Sequence, residues 1–560
     1  MPHHFYIPVM GTGFTADTPI RVSHLGIDSA ISLVDDKLLE RIGLYYAQKF
    51  AIPYEKVASS EKHSRAERIR RYLNLIHILA QKKFERTVAE PFTGNSNKDR
   101  YFLLLPTQDP LRIQYLQMRE MPAGDERIKT EKELTQKMQP GSIDVNIMVK
   151  LDRPDFEDAR EALRGYAEST LNGNTRLILS AGINQALFSE MEKFPCFYRN
   201  ASGQFDKKIS LKVSDFRSAL IQGKTLARKG LEVSEYRVES GLNCGGHLFP
   251  SQGELLPVIL QEMQGKKELL CSSLKPALQK YYAAHHLDSS RLDKPCTPLF
   301  SVQGGIGNAQ EAEFLMRRFG FDRCGWGTPF LLVPEATLVD ASTRKKLAEA
   351  NENDIWMSNA SPLDVPFSNL KSSGSEQNRI RKIDMGIFGS NCPKGFLQNN
   401  SEFSERLICT ASKEYQKKKI AEILSKDIPD LQKREQIRRV QEKSCICHEL
   451  GNSALISLGI EREEIAPQAI CPGPNIAYFN RLYTLSEMVD FIYGRKYDLI
   501  SSQRPNLFDQ EISLYQKWIQ SEKSKSNSEA RESWLKTAEE NLHRGMEFVQ
   551  KLVPEMQATK

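Results

Sequence analysis

Eight short apolar runs, rich in β-branched side chains and each ending in glycine or small polar residues, limit the folds open to this chain more than any other feature. They cover residues 5–11, 24–33, 141–150, 176–182, 207–215, 234–241, 298–305 and 323–332. Helical patterns separate most of them: DFEDAREALRGYAES follows the third, SDFRSALIQGKTLARKG the fifth and NAQEAEFLMRRFGF the seventh. Strands that alternate with helices and are apolar along their length predict an α/β chain built on a parallel (β/α)₈ barrel, the TIM-barrel arrangement. An open doubly wound sheet is the alternative left by the alternation alone.

The 560 residues exceed what a plain barrel needs. We expect the barrel in 1–340, interrupted at 35–140 by a helical insertion that reads as a cap, and a mostly helical C-terminal region in 341–560. The basic run KHSRAERIRR in the insertion reads as a solvated helix face, because Ile69, Tyr72, Leu73 and Ile76 form an apolar stripe beside it. The 77 basic and 71 acidic residues are mixed along the chain, and a net charge of +6 gives no nucleic-acid-binding field. No apolar run approaches the roughly 20 residues that span a bilayer, and MPHHFYIPVMGTG lacks the pattern of a signal peptide. A cytoplasmic protein with reduced thiols at its 10 cysteines is expected, without membrane association; the oligomeric state is open.

In such a barrel the chemistry lies at the carboxyl ends of the strands. SVQGGIGN ends the seventh run and leads into a helix, with Asn308 as N-cap and Glu311 at capping-box spacing. Gly304, Gly305 and Gly307 let backbone N–H groups approach a dianion. GWGTPFL at the eighth run adds Gly325, Gly327 and the hydroxyl of Thr328, at the second of the two loops where barrels commonly hold a ligand phosphate.

GLNCGGH, SVQGGIG and GWGTPFLL, in this order at strands six to eight, resemble the flavin-dependent nitronate monooxygenase (2-nitropropane dioxygenase) family, whose barrel is shared with FMN-dependent enoyl-acyl-carrier-protein reductases. The resemblance covers about residues 5–340. It implies an FMN cofactor, with its phosphate held by Gly304, Gly305, Gly327 and Thr328. It also implies Met10, Gly11 and Thr12 under the flavin ring, Asn146 in contact with it, and Gly245 and Gly246 beside it. Lys212 is similar to a basic residue near the flavin in some members. His247 matches the catalytic histidine, and its implied role is to take a proton α to a nitro group while dioxygen completes the turnover. Asn243 and Cys244 replace an acidic and a small residue of the family pattern, which lowers the expected basicity of His247.

Three functions follow. The first is oxidation of a nitronate or similar carbon acid with dioxygen, the second reduction of a carrier-bound enoyl thioester with NAD(P)H as donor. The third is a dormant flavoprotein that serves as a scaffold for a partner. Cys244 reads as a thiol in the pocket wall or as a thiolate nucleophile. Cys392, Cys409, Cys445, Cys447 and Cys471 could bind zinc or an iron–sulfur cluster, but they lack CxxC spacing, so no metal ligands are assigned and isolated buried thiols are the favoured reading. SNASPLDVPFSNL (358–370) reads as a crossing over the barrel mouth or a linker.

Overall fold

The structure, a computed structural model, describes residues 2–148, 152, 157–242, 246–248, 251–293, 297–523 and 529–557. The first half runs β1 (Phe5–Ile7), α1 (Thr18–Val22), β2 (Asp28–Ser32), α2 (Asp36–Lys49), α3 (Ser64–Ala89), α4 (Asn97–Leu104), α5 (Pro110–Glu120), α6 (Asp125–Lys137), β3 (Ile143–Ile147), α7 (Asp158–Ala167), β4 (Arg176–Leu179), α8 (Gln185–Met191), β5 (Lys208–Val213) and α9 (Phe216–Ala227). β6 (Val233–Glu239), α10 (Leu256–Gly265), α11 (Lys267–Ala284), β7 (Leu299–Gln303), α12 (Ala309–Phe319) and β8 (Arg323–Gly325) complete the alternation. All eight expected runs contain a strand, and the strands close in chain order with β8 parallel to β1, which excludes the open sheet.

The insertion is a wall and a floor. α3 lies along α2 and α7, and α4 packs against the turn at 23–25 that precedes β2, at the amino-terminal end of the barrel. Its basic run departs from the expected solvated face. Arg65 and Arg68 are buried and both bind the Asp36 carboxylate, while Arg70 and Arg71 bind Glu67. A guanidinium on a helix that is flanked on both sides is stabilised by such a pair, where open solvent would do the same for an exposed one.

The strands are also not apolar throughout, as had been expected. Val145, Ile147, Tyr236 and Val238 are apolar and buried, but the alternate positions carry charge into the barrel interior. There Asp28 meets Arg323 at 2.6 Å and Arg176 at 3.6 Å, Asp144 meets Arg237 at 3.0 Å and Arg176 at 3.5 Å, and Glu235 meets Arg237 at 3.0 Å and Arg176 at 3.5 Å. Three carboxylates balance three guanidiniums. Burial works against ionisation of Glu235, but Arg237, Arg176 and Arg323 outweigh it and hold the carboxyl down to about 2.

Beyond the barrel come α13 (Ala341–Glu349), β9 (Ile355–Ser358), β10 (Phe367–Leu370), α14 (Gly374–Asp384), α15 (Lys413–Ser425), α16 (Asp430–Gln441), α17 (Ile446–Ser457), α18 (Leu485–Ile492), α19 (Leu507–Lys523) and α20 (Glu529–Gln557). The region is mostly helical, as expected, with β9 and β10 forming an antiparallel pair. It rings the mouth. Gly451 and Ala454 of α17 pack on Leu38 and Gly13 near the ends of β2 and β1, β10 reaches the loop after β6, and residues 473–507 cover the loops after β7 and β8. No helix among the described residues is long and apolar enough to cross a membrane.

Candidate functional site

In a barrel of this shear, inward residues from alternate strands stack in layers. Following the ladder registers, Tyr6, Asp144, Ser210 and Ser301 form one layer, and Pro8, Asn146, Lys212 and Gln303 form the next, toward the mouth. Asn146 and Lys212, far apart in sequence, therefore share a level. Lys212 Nζ lies 2.9 Å from Glu239 Oε1, which also accepts from Gln303 Nε2 at 2.6 Å, and Tyr6 donates its hydroxyl to Gln303 Oε1 at 2.9 Å. Asn146 is 8% exposed, and its Oδ1 has no hydrogen-bond partner among the described residues. In the loop after β1, Met10 is buried, Gly11 takes a left-handed φ of +54° beside the Phe14 ring, and Thr12 Oγ1 is likewise buried and unpartnered. Buried polar atoms without partners are costly, and these two at the mouth can accept from a polar ligand or from water.

Gly304 and Gly305, with φ of +99° and +76°, turn the chain sharply after β7. Asn475 Nδ2 donates to the Gly305 and Ile306 carbonyls at 2.9 and 3.0 Å, and Arg504 Nη2 donates to Gly305 O at 2.8 Å. A trans peptide points its N–H opposite to its C=O, so pinning the Gly305 carbonyl aims the Ile306 N–H away from these side chains. At the eighth strand end, Thr328 Oγ1 accepts the Gly473 N–H at 3.1 Å, which leaves its own O–H to donate. Gly304, Gly305, Gly327 and Thr328 thus come together, with Leu242 and Asn475, around one small cleft that has no carboxylate in its lining. Its donors fit a phosphate in kind. Its volume is about 10 Å³, room for about one water, so a phosphate enters only if the cleft widens.

The capping-box expectation at Asn308 holds by half. Asn308 Oδ1 accepts the Glu311 N–H at 2.9 Å, but the Glu311 carboxylate turns to the Gly307 N–H at 2.8 Å and to Arg504, 2.6 Å from Nη1. The Leu507 N–H donates to it as well, at 2.9 Å. With both members of the Arg504–Glu311 pair 3% exposed, this contact ties α19 to the glycine turn.

His247 lies on the other side of Leu242, at the wall of a cavity of about 600 Å³. Ile355, Trp356 and Met357 of β9 and Leu514 and Trp518 of α19 give that cavity its apolar surface. The imidazole Nε2 is 2.8 Å from Ser361 Oγ, and the ring packs edge-on against Phe367 at 5.1 Å. Because Ser361 Oγ accepts the Leu363 N–H at 3.1 Å, its hydroxyl is available to donate to His247. Burial lowers the imidazole to about 4, so it is neutral at pH 7. Gly246 takes φ +84°, with Phe367 and Cys471 where a side chain would stand. Gly245, with Asn243 and Cys244, lies outside the described residues. The 358–370 segment does reach the mouth, through Ser361 and the bridge between Phe367 and His247.

Several site residues carried no sequence signal: Ser361, Asn475, Arg504 and Glu511. Glu511 of α19 accepts the Ser240 hydroxyl and the Leu256 N–H, each at 2.8 Å, at the start of the loop that carries His247. Burial pushes its carboxyl up to about 7 against the lowering effect of those bonds. Gly473, in CPGPN, carried a weak signal: glycine between prolines marks a close backbone approach, here to Thr328.

No family model matches the chain, and no curated protein matches it. Among solved structures, the chain is similar to a mutant of FabK from Thermotoga maritima, with a TM-score of 0.31 and 11% identity over 70% of this chain and 84% of that one. It is also similar to nitroalkane oxidase from Streptomyces ansochromogenes, with a TM-score of 0.34 and 10% identity over 88% of this chain and 94% of that one.

Proposed function

We propose that the chain is an FMN-dependent oxidoreductase. The observation that carries this reading is the braced glycine turn after β7, which meets the Thr328 hydroxyl at the end of β8 and leaves donors for a phosphate. Gly304, Gly305, Gly327 and Thr328 would hold the phosphate, while Asn146 and Thr12 would give their unpartnered oxygens to the ring end of the cofactor. By the resemblance, Met10, Gly11, Gly245 and Gly246 would help to hold the ring end. When bound, FMN supplies electron or hydride transfer that no side chain provides. Lys212, fixed by Glu239, supplies positive charge at the same level.

The first reaction we propose is oxidation of a nitronate or related carbon acid with dioxygen. A neutral, buried imidazole is a weak base, so His247 suits a carbon acid that readily loses its proton, which Nε2 can accept once the Ser361 hydroxyl is released. The second, reduction of an enoyl thioester by NAD(P)H, is favoured by the cavity: about 600 Å³ with tryptophan walls has room for an acyl chain as well as for a small anion.

Anaerobic absorbance spectra of the purified protein test both. A flavin spectrum bleached by nitronate alone supports oxidation, and bleaching by NADH or NADPH supports the reductase. A protein that neither contains FMN nor takes it up overturns the central reading.

A further inference from the structure

His247 is carried by the connection from β6 to α10, which leaves the barrel at Ser240 and enters the helix at Leu256. Both ends of this connection meet one carboxylate. Glu511 Oε1 accepts the Ser240 hydroxyl and Oε2 accepts the Leu256 N–H, each at 2.8 Å. The Ser240 end is fixed further, because its N–H donates to Gln303 O at 2.9 Å and its Oγ accepts the Leu242 N–H at 3.1 Å. Leu242 is the partition of the mouth: it lines the glycine cleft on one side and the cavity of His247 on the other.

The connection is seated on α19 and α20. A Cβ at Gly241 would stand 2.7 Å from the ring of Tyr515, one turn beyond Glu511, and a Cβ at Gly253 would stand 2.2 Å from the Ala538 carbonyl. Asn541 Nδ2 of α20 donates to Gln252 O at 2.9 Å. Packing of this kind holds the connection down, whereas Glu511 joins its first residue to the first residue of α10. At 1% exposure a carboxylate is costly, and hydrogen bonds to two donors of the same connection offset part of that cost.

We propose that Glu511 is the positioning residue of His247, tying together the two ends of its connection so that the imidazole stays at the cavity wall against Ser361. The role rests on the flavin reading above, in which His247 faces the substrate. Glu511 touches no reacting atom and acts through the backbone. A shift of about 1 Å at a reacting group can lower a rate about 10²-fold. A glutamine at this position keeps the tie, since its amide oxygen can accept the Leu256 N–H while its NH₂ group donates to Ser240 Oγ.

The test compares Glu511→Ala, Glu511→Gln and a control, Glu232→Gln, in the full-length protein. Glu232 precedes β6 at its opposite end and is paired with Arg199 at 2.7 Å, so the control destabilises the fold away from the mouth. Mass spectrometry follows the modification of His247 by diethyl pyrocarbonate, with the exposed His286 as internal standard. This readout needs neither cofactor nor turnover. In Glu511→Ala we expect modification about tenfold faster, and kcat about 10–100-fold lower with KM and FMN content little changed, as displacement of one reacting group predicts. Glu511→Gln should match the wild type in both, and Glu232→Gln should lower the melting temperature without moving either. If Glu511→Ala does not fold, Ser240→Ala takes its place, with a smaller change in the same direction. Unchanged modification and kcat in the alanine variant, a glutamine variant as impaired as alanine, or equal acceleration in the Glu232 control would each overturn the proposal. A chain that binds no FMN would overturn the flavin reading, and the modification rates alone would then decide whether Glu511 holds His247 in place.

Discussion

At the scale of single residues, Asn146 and His247 carry separate predictions. Asn146 Oδ1 is buried without a partner, which costs the protein alone about 1–3 kcal/mol. Asn146→Leu should therefore leave the flavin-free chain as stable or more stable by thermal unfolding, while flavin affinity falls about tenfold by fluorescence titration. A fall in both together would show Asn146 to be only a packing residue. His247 makes a different prediction. Its imidazole ordinarily titrates near 6.5 and in the fold is lowered to about 4, so below 6.5 the unfolded chain binds a proton that the folded chain refuses. Stability relative to His247→Gln should thus be at its full value above pH 6.5, fall as pH drops, and level off below pH 4 at a loss of about 3 kcal/mol. Denaturant titrations of both proteins across that range measure it. His247→Gln should also lower kcat by about 10²–10⁴ with flavin content unchanged.

At the scale of elements, the glycine turn after β7 depends on α19. Glu311 and Arg504 are both buried, and removing either leaves an uncompensated charge. Glu311→Ala and Arg504→Ala should each destabilise by about 3–5 kcal/mol, and the double variant by clearly less than their sum. An additive pair in denaturant unfolding would sink the idea that they act as one clamp. This clamp also shows which part of the site could be read from the sequence. The eight strands were legible because short β-branched apolar runs ending in glycine are local patterns, and the convergence of Gly304, Gly305, Gly327 and Thr328 was legible because strand ends fix where loops meet. The charged barrel interior could have been read from the alternation in Ile143–Asp144–Val145–Asn146–Ile147, had the inward face been separated from the outward one. Arg504 and Ser361 were not legible. Their roles come from packing across nearly 200 and 114 positions, and nothing in RPNLF or NASPL announces a partner.

At the scale of the molecule, the C-terminal region is part of the structure that makes the barrel mouth. One hydrophobic core runs through both, from Phe5, Leu242 and Phe314 to Tyr493, Leu507 and Phe508. Ring contacts stitch the two across that boundary: Phe5 with Tyr493 at 5.8 Å, Trp326 with Phe491 at 6.3 Å and Phe314 with Phe508 at 6.3 Å. Apolar surface covered in this way contributes about 25 cal/mol per Å², and a typical domain has only about 5–15 kcal/mol in hand, so exposing these aromatic faces would consume the margin. The Gly305 and Ile306 carbonyls would lose Asn475 and Arg504, and Glu311 would be left without its cation. We therefore expect residues 1–340, expressed alone, to be insoluble or to lack a cooperative thermal transition, although all eight strands lie within them. Adding residues 341–560 as a separate chain should restore solubility if the two halves meet only through the surfaces named here. A soluble 1–340 fragment that unfolds cooperatively at the temperature of the whole chain would mean instead that the barrel is self-sufficient and the C-terminal region only rests on it.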